Sequence, residues 1–271
     1  MRRTNRQLKF MAKNVLRGNY TLPILANIII NVLSAAAGSM TSTLFPTTSG
    51  MSSVLSQLFS FIITVIFSLF TAGLIYMYLN ISRRRPYSFS DLIYLFSNNP
   101  DRILIVGFVL ALINAIISIP SVLANRFLYT DDVMNGDLTA ALQYLYTTLL
   151  VLLVTLAVYT IVTLPLTFSY ALLIDRPELT AKEAMKMSIH LMKGNYWRYL
   201  KLLISFFPLY VLSAFTCYIA LLWVVPYQGI TEIFLYRELA GDLDTDHFSA
   251  NSPFSGQIPN PQEYNDYNSE A

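Results

Sequence analysis

Charged residues are scarce in this chain. Only 13% of its 271 residues are Asp, Glu, Lys or Arg, whereas 55% are hydrophobic, and the mean hydropathy is +0.50. Soluble globular domains carry about twice that share of charged residues, because their surfaces face water. The composition therefore excludes a soluble domain.

Cysteine and histidine are scarce as well. Cys217 is the single cysteine, so no internal disulfide can form, and His190 and His247 lie far apart without cysteine companions. Such residues do not suit a zinc site. The sequence also lacks a phosphate-binding glycine loop, a nucleophile elbow and paired carboxylates within its apolar runs. We therefore expect no catalytic residue, no cofactor and no metal.

The hydrophobic residues are collected in five long runs with almost no charge. They cover residues 22–38, 54–79, 103–124, 145–174 and 199–239. A helix of about 20 residues crosses the ~30 Å hydrocarbon core of a bilayer. The pattern predicts an all-α, polytopic helical membrane protein.

The last run leaves two alternatives. As one helix, residues 199–239 would extend roughly 60 Å, which is twice the thickness of the hydrocarbon core. Either a tight hairpin near residues 213–220 gives six transmembrane helices, or one helix followed by an interfacial helix from Pro226 gives five. No glycine or asparagine marks a turn at 213–220, which counts against the hairpin.

Basic residues cluster in alternate connections. Six precede the first run and ten occupy the second and fourth connections, whereas residues 39–53 and 125–144 contain only Arg126. Lysine and arginine are retained on the cytoplasmic side of a membrane. We therefore expect a cytoplasmic amino terminus. Because these basic residues line the membrane surface, we expect no nucleic-acid partner.

A short motif occurs twice, each time directly before a long apolar run. It reads RGNY at residues 17–20 and KGNY at residues 193–196. Each copy follows a segment with apolar residues on one helical face and basic residues elsewhere, which is typical of a helix lying in the membrane surface. Glycine allows a left-handed helix end, and asparagine tolerates that conformation. We interpret the motif as an elbow between a surface helix and a transmembrane helix.

A third segment resembles these two. Ser88 and Asp91 have the spacing of a helix cap, and an apolar stripe then leads to the turn NNPD. The chain is thus predicted to form three units of surface helix plus hairpin, at about 4–79, 86–174 and 177–240, and this repeat favours six transmembrane helices. Together the units make a helical domain over 1–240. Residues 241–271 are acidic and polar, and we predict a disordered tail.

Two sets of residues are candidates for function. Surface and elbow residues are expected to contact anionic lipid headgroups or a membrane-protein partner; they are Lys9, Lys13, Arg17, Gly18, Asn19, Tyr20, Lys193, Gly194, Asn195 and Tyr196. Polar residues within the apolar runs are expected to hydrogen-bond between helices or to form a substrate site; they are Asn27, Asn31, Asn114 and Glu232. Glu232 is either a functional carboxylate or an interfacial one near Arg237.

The carboxyl-terminal part resembles a known family. The segments LMKGNYWRYLKLLISFFPLYVLSAF and LWVVPYQGITEIFLYREL are similar to bacterial integral membrane proteins of domain-of-unknown-function family 975. Pro226, Tyr227, Thr231 and Tyr236 match the family's pattern in the last helix, whereas Leu235 stands in place of a phenylalanine. The resemblance covers roughly residues 1–240. It implies a bacterial cell-membrane protein and lends no catalytic residue.

Three functions are compatible with these features. The first is a non-enzymatic membrane protein that engages anionic lipid or a membrane partner in organising the cell envelope. The second is a small transporter or permease subunit, with a polar site between helices 1 and 3 formed by Asn27, Asn31 and Asn114. The third is an intramembrane enzyme. A polar cavity at mid-membrane depth would favour transport, whereas a tightly packed apolar bundle would favour the first function.

Overall fold

The computed structural model describes residues 3–46, 50–128 and 137–243, and within these ranges the chain forms helices and turns only. The α-helices are α1 (Asn5–Leu16), α2 (Thr21–Leu44), α3 (Gly50–Ser82), α4 (Tyr94–Ser97), α5 (Pro100–Leu128), α6 (Leu138–Thr163), α7 (Ser169–Asp175), α8 (Ala181–Met192), α9 (Tyr196–Ile204), α10 (Phe207–Phe215) and α11 (Leu221–Ala240). Two 3-10 helices lie at Phe89–Leu92 and Leu164–Leu166. The predicted all-α class is confirmed. From position 244 onward, the predicted tail lies outside the described residues.

Five helical segments are long and apolar enough to cross a membrane. They are Thr21–Leu44, Met51–Ser82, Pro100–Leu123, Leu138–Asp175 and Tyr196–Phe215. Each contains at least 18 residues, which is close to the length that the hydrocarbon core requires. By length and composition the chain is a multi-pass membrane protein.

The last apolar run is broken twice. It is interrupted between α9 and α10, and again at a turn between α10 and α11 in which Cys217 and Tyr218 have φ of 49° and 64°. The Tyr218 N–H donates to Ser213 O at 2.8 Å. A hairpin therefore forms at the predicted position without glycine or asparagine. α11 begins at Leu221, five residues before Pro226, so no helix starts at that proline.

Contacts across this turn establish an antiparallel pair. The rings of Phe206 and Tyr227 lie 5.2 Å apart, and the Tyr210 hydroxyl donates to Gln228 Oε1 at 2.7 Å. Farther from the turn, Arg198 Nη2 donates to Glu238 Oε2 at 2.6 Å. Because the midpoints of these three pairs all fall between residues 216 and 219, α11 runs back along α9 and α10.

The buried core lies at one end of the bundle. The ends of α3, α7 and α11 meet there and pack against α1 and α8, with Tyr236, Phe168 and Arg237 among the largest fully buried side chains. In α6, by contrast, no residue is buried, and most of its leucines are at least half exposed. Apolar surface of this extent suits lipid rather than water.

The apolar faces of α1 and α8 pack against protein. Leu8, Ala12 and Leu16 of α1 are fully buried, and α1 packs along α11. In α8, Ser188 is buried, accepts from the Phe168 N–H and donates to Pro165 O. We expected these faces to point into the membrane. The structure places them against the bundle instead, because α11 and α7 present apolar surface at the same end.

The predicted third surface helix is not a single helix. Phe89–Leu92 forms a 3-10 helix and α4 has four residues, so no continuous apolar stripe forms. Leu92 is buried, whereas Phe89 and Ile93 are exposed. The segment before α5 therefore differs from the segments before α2 and α9, and the three predicted units are not equivalent.

Candidate functional site

The first elbow connects α1 to α2. α1 ends at Leu16, Gly18 has φ +88°, and α2 begins at Thr21. The Asn19 N–H donates to Leu16 O at 2.8 Å, and Asn19 Nδ2 donates to Val15 O at 2.9 Å. The asparagine thus satisfies two carbonyls that the end of α1 leaves without partners.

The second elbow connects α8 to α9 with the same bonds. Gly194 has φ +82°, the Asn195 N–H donates to Met192 O at 2.8 Å, and Asn195 Nδ2 donates to Leu191 O at 3.0 Å. Each residue of this elbow is 176 positions after its counterpart in the first. The GNY motif thus forms a turn between two helices at both positions, and its role as an elbow between a surface helix and a transmembrane helix stays a prediction.

The correspondence extends back to the starts of α1 and α8. Thr4 caps α1 in a capping box with Gln7, and Thr180 caps α8 in a capping box with Glu183. These residues are also 176 positions apart. Both pairs have the Ser/Thr-x-x-Glu/Gln spacing of a capping box, so this signal is readable from the sequence.

The basic residues of the candidate surface fall into two groups. Lys13, Arg17 and Lys193 are exposed to solvent. Lys9 is held by the protein instead: its Nζ donates to Ser205 O at 2.8 Å and lies 4.0 Å from the centre of the Phe206 ring. Burial lowers the pKa of Lys9. Lys9 therefore links α1 to the break between α9 and α10.

The two tyrosines of the elbows anchor the turns to the core. Tyr20 and Tyr196 are partly buried and pack against the buried cluster at this end of the bundle. Trp197, next to the second elbow, is 76% exposed. An exposed tryptophan beside a helix start suits the membrane–water interface.

An ionic cluster joins three helix ends. Arg83, after α3, pairs with Asp175 at the end of α7 (2.6 Å) and with Asp242 after α11 (2.8 Å). Arg237 is fully buried; its Nε donates to Asp242 Oδ2 at 2.9 Å, and its Nη1 donates to Ser82 O at 2.7 Å. Burial raises the pKa of Asp242, but hydrogen bonds from Arg83 and Arg237 outweigh that effect and hold it below its usual value.

This cluster was not identified from the sequence. Its first and last members, Arg83 and Asp242, are 159 positions apart in the sequence. Taken singly, each member is an ordinary charged residue at the end of an apolar run. The sequence did contain one pattern that pointed to these helix ends. Each of the three helices has an arginine at or just after its carboxyl end, namely Arg83, Arg176 or Arg237. Cations at these positions stabilise helix carboxyl termini.

The three asparagines do not form a common face. Asn27 is buried, and its Nδ2 donates to Pro23 O and to the Tyr78 hydroxyl of α3 at 2.7 and 2.9 Å. Asn31 is exposed and donates back to Asn27 O, and Asn114 is exposed. α2 packs on α3 and α11, whereas α5 packs on α3 and α6. The interhelical bond predicted for Asn27 is present, but Asn114 does not join it.

Glu232 lies in a polar chain within the last hairpin. It is partly buried and accepts from Gln228 Nε2 at 2.8 Å, while Gln228 Oε1 accepts from the Tyr210 hydroxyl. Arg237, its expected neighbour, is bonded to Asp242 and Ser82 O instead. Among the described residues, no group of three or more His, Cys, Asp and Glu is arranged to hold a metal ion.

The comparisons with known proteins agree with the expected family. No curated protein and no solved structure matches the chain. The matching family model covers residues 1–242, which includes both elbows and extends to Asp242 of the ionic cluster. Because this match covers most of the sequence, the chain belongs to DUF975, a family of proteins of unknown function.

Proposed function

We propose that this chain is a non-enzymatic, multi-pass protein of a bacterial cell membrane whose cytoplasmic face holds anionic lipid headgroups and helps to organise the envelope. The observation that carries the proposal is the pair of matching elbows. Each directs exposed basic side chains, Lys13 and Arg17 or Lys193, outward at the start of an apolar helix. Basic residues at that level attract anionic lipids.

The proposed topology has six crossings and a cytoplasmic amino terminus. Support comes from a contact between the two ends of the helical domain: the Arg3 N–H donates to Glu238 Oε1 at 2.9 Å. Residues in contact lie on the same side of a membrane, so the number of crossings between them is even. α9 and α10 form the fifth crossing and α11, with 20 residues, forms the sixth.

The lipid proposal is tested on the full-length protein in neutral detergent micelles. Added phosphatidylglycerol should raise the unfolding midpoint more than phosphatidylcholine, because a ligand that binds only the folded state stabilises it. The difference should shrink at about 1 M salt, where charges are screened within about 3 Å. Equal effects of the two lipids at low salt would contradict the proposal.

A membrane-protein partner is the alternative to lipid, and it would bind a different surface of the chain. The bare surface of α6, which has no buried residue, offers a place for such a partner within the membrane. Copurification of one stoichiometric protein in mild detergent, together with no preference for phosphatidylglycerol, would favour the partner over lipid.

Transport is the alternative function, and it draws support from Glu232 rather than from the asparagines. An ionisable residue within membrane helices commonly marks a substrate or ion path. Glu232→Gln should then abolish solute movement in reconstituted vesicles while leaving the effect of phosphatidylglycerol on stability unchanged. No movement of any solute by the wild-type protein would remove this alternative.

A further inference from the structure

A cavity of about 310 Å³ lies where the end of α1 meets the loop after α3. Asn14 and Asn19 line it on the side of the first elbow, and Arg84, Arg85 and Tyr87 line it on the side of the loop. Its volume falls at the lower end of the range for small-ligand sites. Since the first elbow leads directly into α2, the cavity opens at the start of a membrane-crossing helix.

The three consecutive arginines after α3 have different surroundings. Arg83 is held by Asp175 and Asp242 in the ionic cluster. Arg84 and Arg85 are exposed, and within the described ranges neither guanidinium is paired with a carboxylate. No carboxylate lines the cavity either. The cavity therefore contains two positive charges that the described protein does not neutralise.

The turn that carries Arg84 and Arg85 has a defined backbone conformation. Arg84 has φ +55°, in the left-handed region that residues other than glycine seldom adopt. The Arg84 N–H donates to Ile81 O and the Arg85 N–H donates to Asn80 O, so the turn is fixed by bonds to the end of α3. These two bonds form the Schellman pattern that commonly ends an α-helix, so they fix where Arg84 and Arg85 leave α3.

The neutral groups of the cavity are suited to an anion. Burial raises the pKa of Tyr87, so its hydroxyl stays protonated and can donate a hydrogen bond. Asn19 Nδ2 is already bonded to Val15 O, whereas the Asn14 amide has no described side-chain partner. Two guanidinium groups, a phenol and an amide supply several donors, and guanidinium geometry matches phosphate oxygens.

We propose that this cavity binds a phosphate group through Arg84 and Arg85, with Tyr87 and Asn14 as neutral donors. The phosphate belongs to a phospholipid headgroup or to a soluble phosphate ester. Binding of a phospholipid headgroup rests on the proposed lipid-binding function of the cytoplasmic face. Binding of a soluble phosphate ester does not depend on that function. In either case the pocket adds a defined site to a surface that otherwise attracts anions by charge alone.

The test compares two double variants that remove the same charge. In full-length protein in dodecyl maltoside micelles, the unfolding midpoint is titrated with phosphatidylglycerol and, separately, with glycerol 3-phosphate and inorganic phosphate. R84Q/R85Q should weaken the apparent affinity for the bound probe about 25-fold, because each basic residue contributes a factor of about 5. K182Q/K186Q, on the exposed side of α8, is the matched control and should change it by about 2-fold or less.

Single variants keep the test valid if the double variant does not fold. R85Q and Y87F should each weaken binding while leaving the unfolding midpoint without ligand unchanged, and Y87F does so without changing the charge. Binding of phosphatidylglycerol alone identifies a headgroup, and binding of the soluble probes identifies a soluble phosphate. Either outcome supports the pocket when R84Q/R85Q weakens that binding and K182Q/K186Q does not.

Two outcomes overturn the proposal, and they are distinguishable from each other. If phosphatidylglycerol stabilises the wild type and both double variants weaken it equally, the pocket is wrong but the proposed lipid-binding face stands. If phosphatidylglycerol and the soluble probes all fail to stabilise the wild type, both the pocket and the lipid-binding face are wrong.

Discussion

Gly18 and Gly194 occupy equivalent positions in the two elbows, and both have a positive φ. An added Cβ would meet no atom within 4 Å at either position, so only the backbone conformation opposes a larger residue. We expect Gly18→Ala and Gly194→Ala each to lower the free energy of unfolding by about 1 kcal/mol. The measurement is unfolding of the purified protein in mixed micelles.

Gly38 provides the matched control for these elbows. It lies within α2, has no positive φ and also has open space around its Cβ position. Gly38→Ala should be neutral or slightly stabilising, because alanine favours helix more than glycine does. A similar loss of stability at all three positions would mean that the left-handed turn is not the cause.

Gly229 is required for a different reason, which is close packing. A Cβ there would lie 2.4 Å from Cε2 of Tyr78, the residue whose hydroxyl accepts from Asn27. Gly229→Ala should therefore cost about 1–3 kcal/mol, because the ring must move. In a Tyr78→Leu background the same change should cost much less. An identical cost in both backgrounds would exclude the contact as its origin.

Asp242 makes the ionic cluster sensitive to acid. Its pKa is lowered in the folded chain by Arg83 and Arg237, so its contribution to stability is complete above the unfolded value of 3.8 and is lost as the pH falls through the folded value. We expect Asp242→Asn to lower stability at about pH 6 and to reduce the further loss between about pH 6 and about pH 3. Unchanged acid sensitivity in this variant would assign it to other carboxylates.

At the scale of elements, Lys9 joins α1 to the break between α9 and α10. Its ammonium group contacts both Ser205 O and the Phe206 ring. Lys9→Gln should cost about 1–2 kcal/mol, whereas Lys13→Gln, on the exposed side of the same helix, should cost less than about 0.5 kcal/mol. Comparable losses would indicate a general effect of charge on α1 rather than this docking contact.

α1, α8 and the turns that follow them are the elements that the sequence predicted best. Both stretches run from a capping threonine to a glycine–asparagine turn, so local hydrogen bonds alone define their ends. The segment before α5 was predicted less well. Its cap pattern was present, but Ser88 forms no side-chain cap bond to the backbone and α4 is only one turn long. A short apolar stripe does not suffice for a helix when its tertiary contacts favour tight turns.

At the scale of the whole molecule, the prediction concerns the side on which the chain ends. In the proposed topology Arg3 and Glu238, which are in contact, lie on the same side of the membrane and are separated by an even number of crossings. A reporter active only outside the cytoplasm, fused after Ala271 so that Asp242 stays in place, should be silent. The same reporter inserted in the 125–144 connection should be active and serves as the control. Strong activity of an intact carboxyl-terminal fusion would rule out six crossings.

The sequence by itself determined the helical membrane class, the family, and the positions of the elbows. These features depend on composition and on residues close together along the chain, such as Gly18 and Asn19 or Gly194 and Asn195. They are readable because apolar runs and helix caps follow local rules. For the same reason the turn at Cys217 and Tyr218 was uncertain, since neither residue is typical of a left-handed conformation.

Only the tertiary structure decided which groups face one another. It turned the apolar faces of α1 and α8 toward the bundle, separated Asn27 from Asn114, and brought Arg83 together with Asp175 and Asp242. The energy of such contacts comes from burial and pairing between residues that are up to 235 positions apart. A single sequence specifies which groups need partners, but the packing of the helices selects the partners.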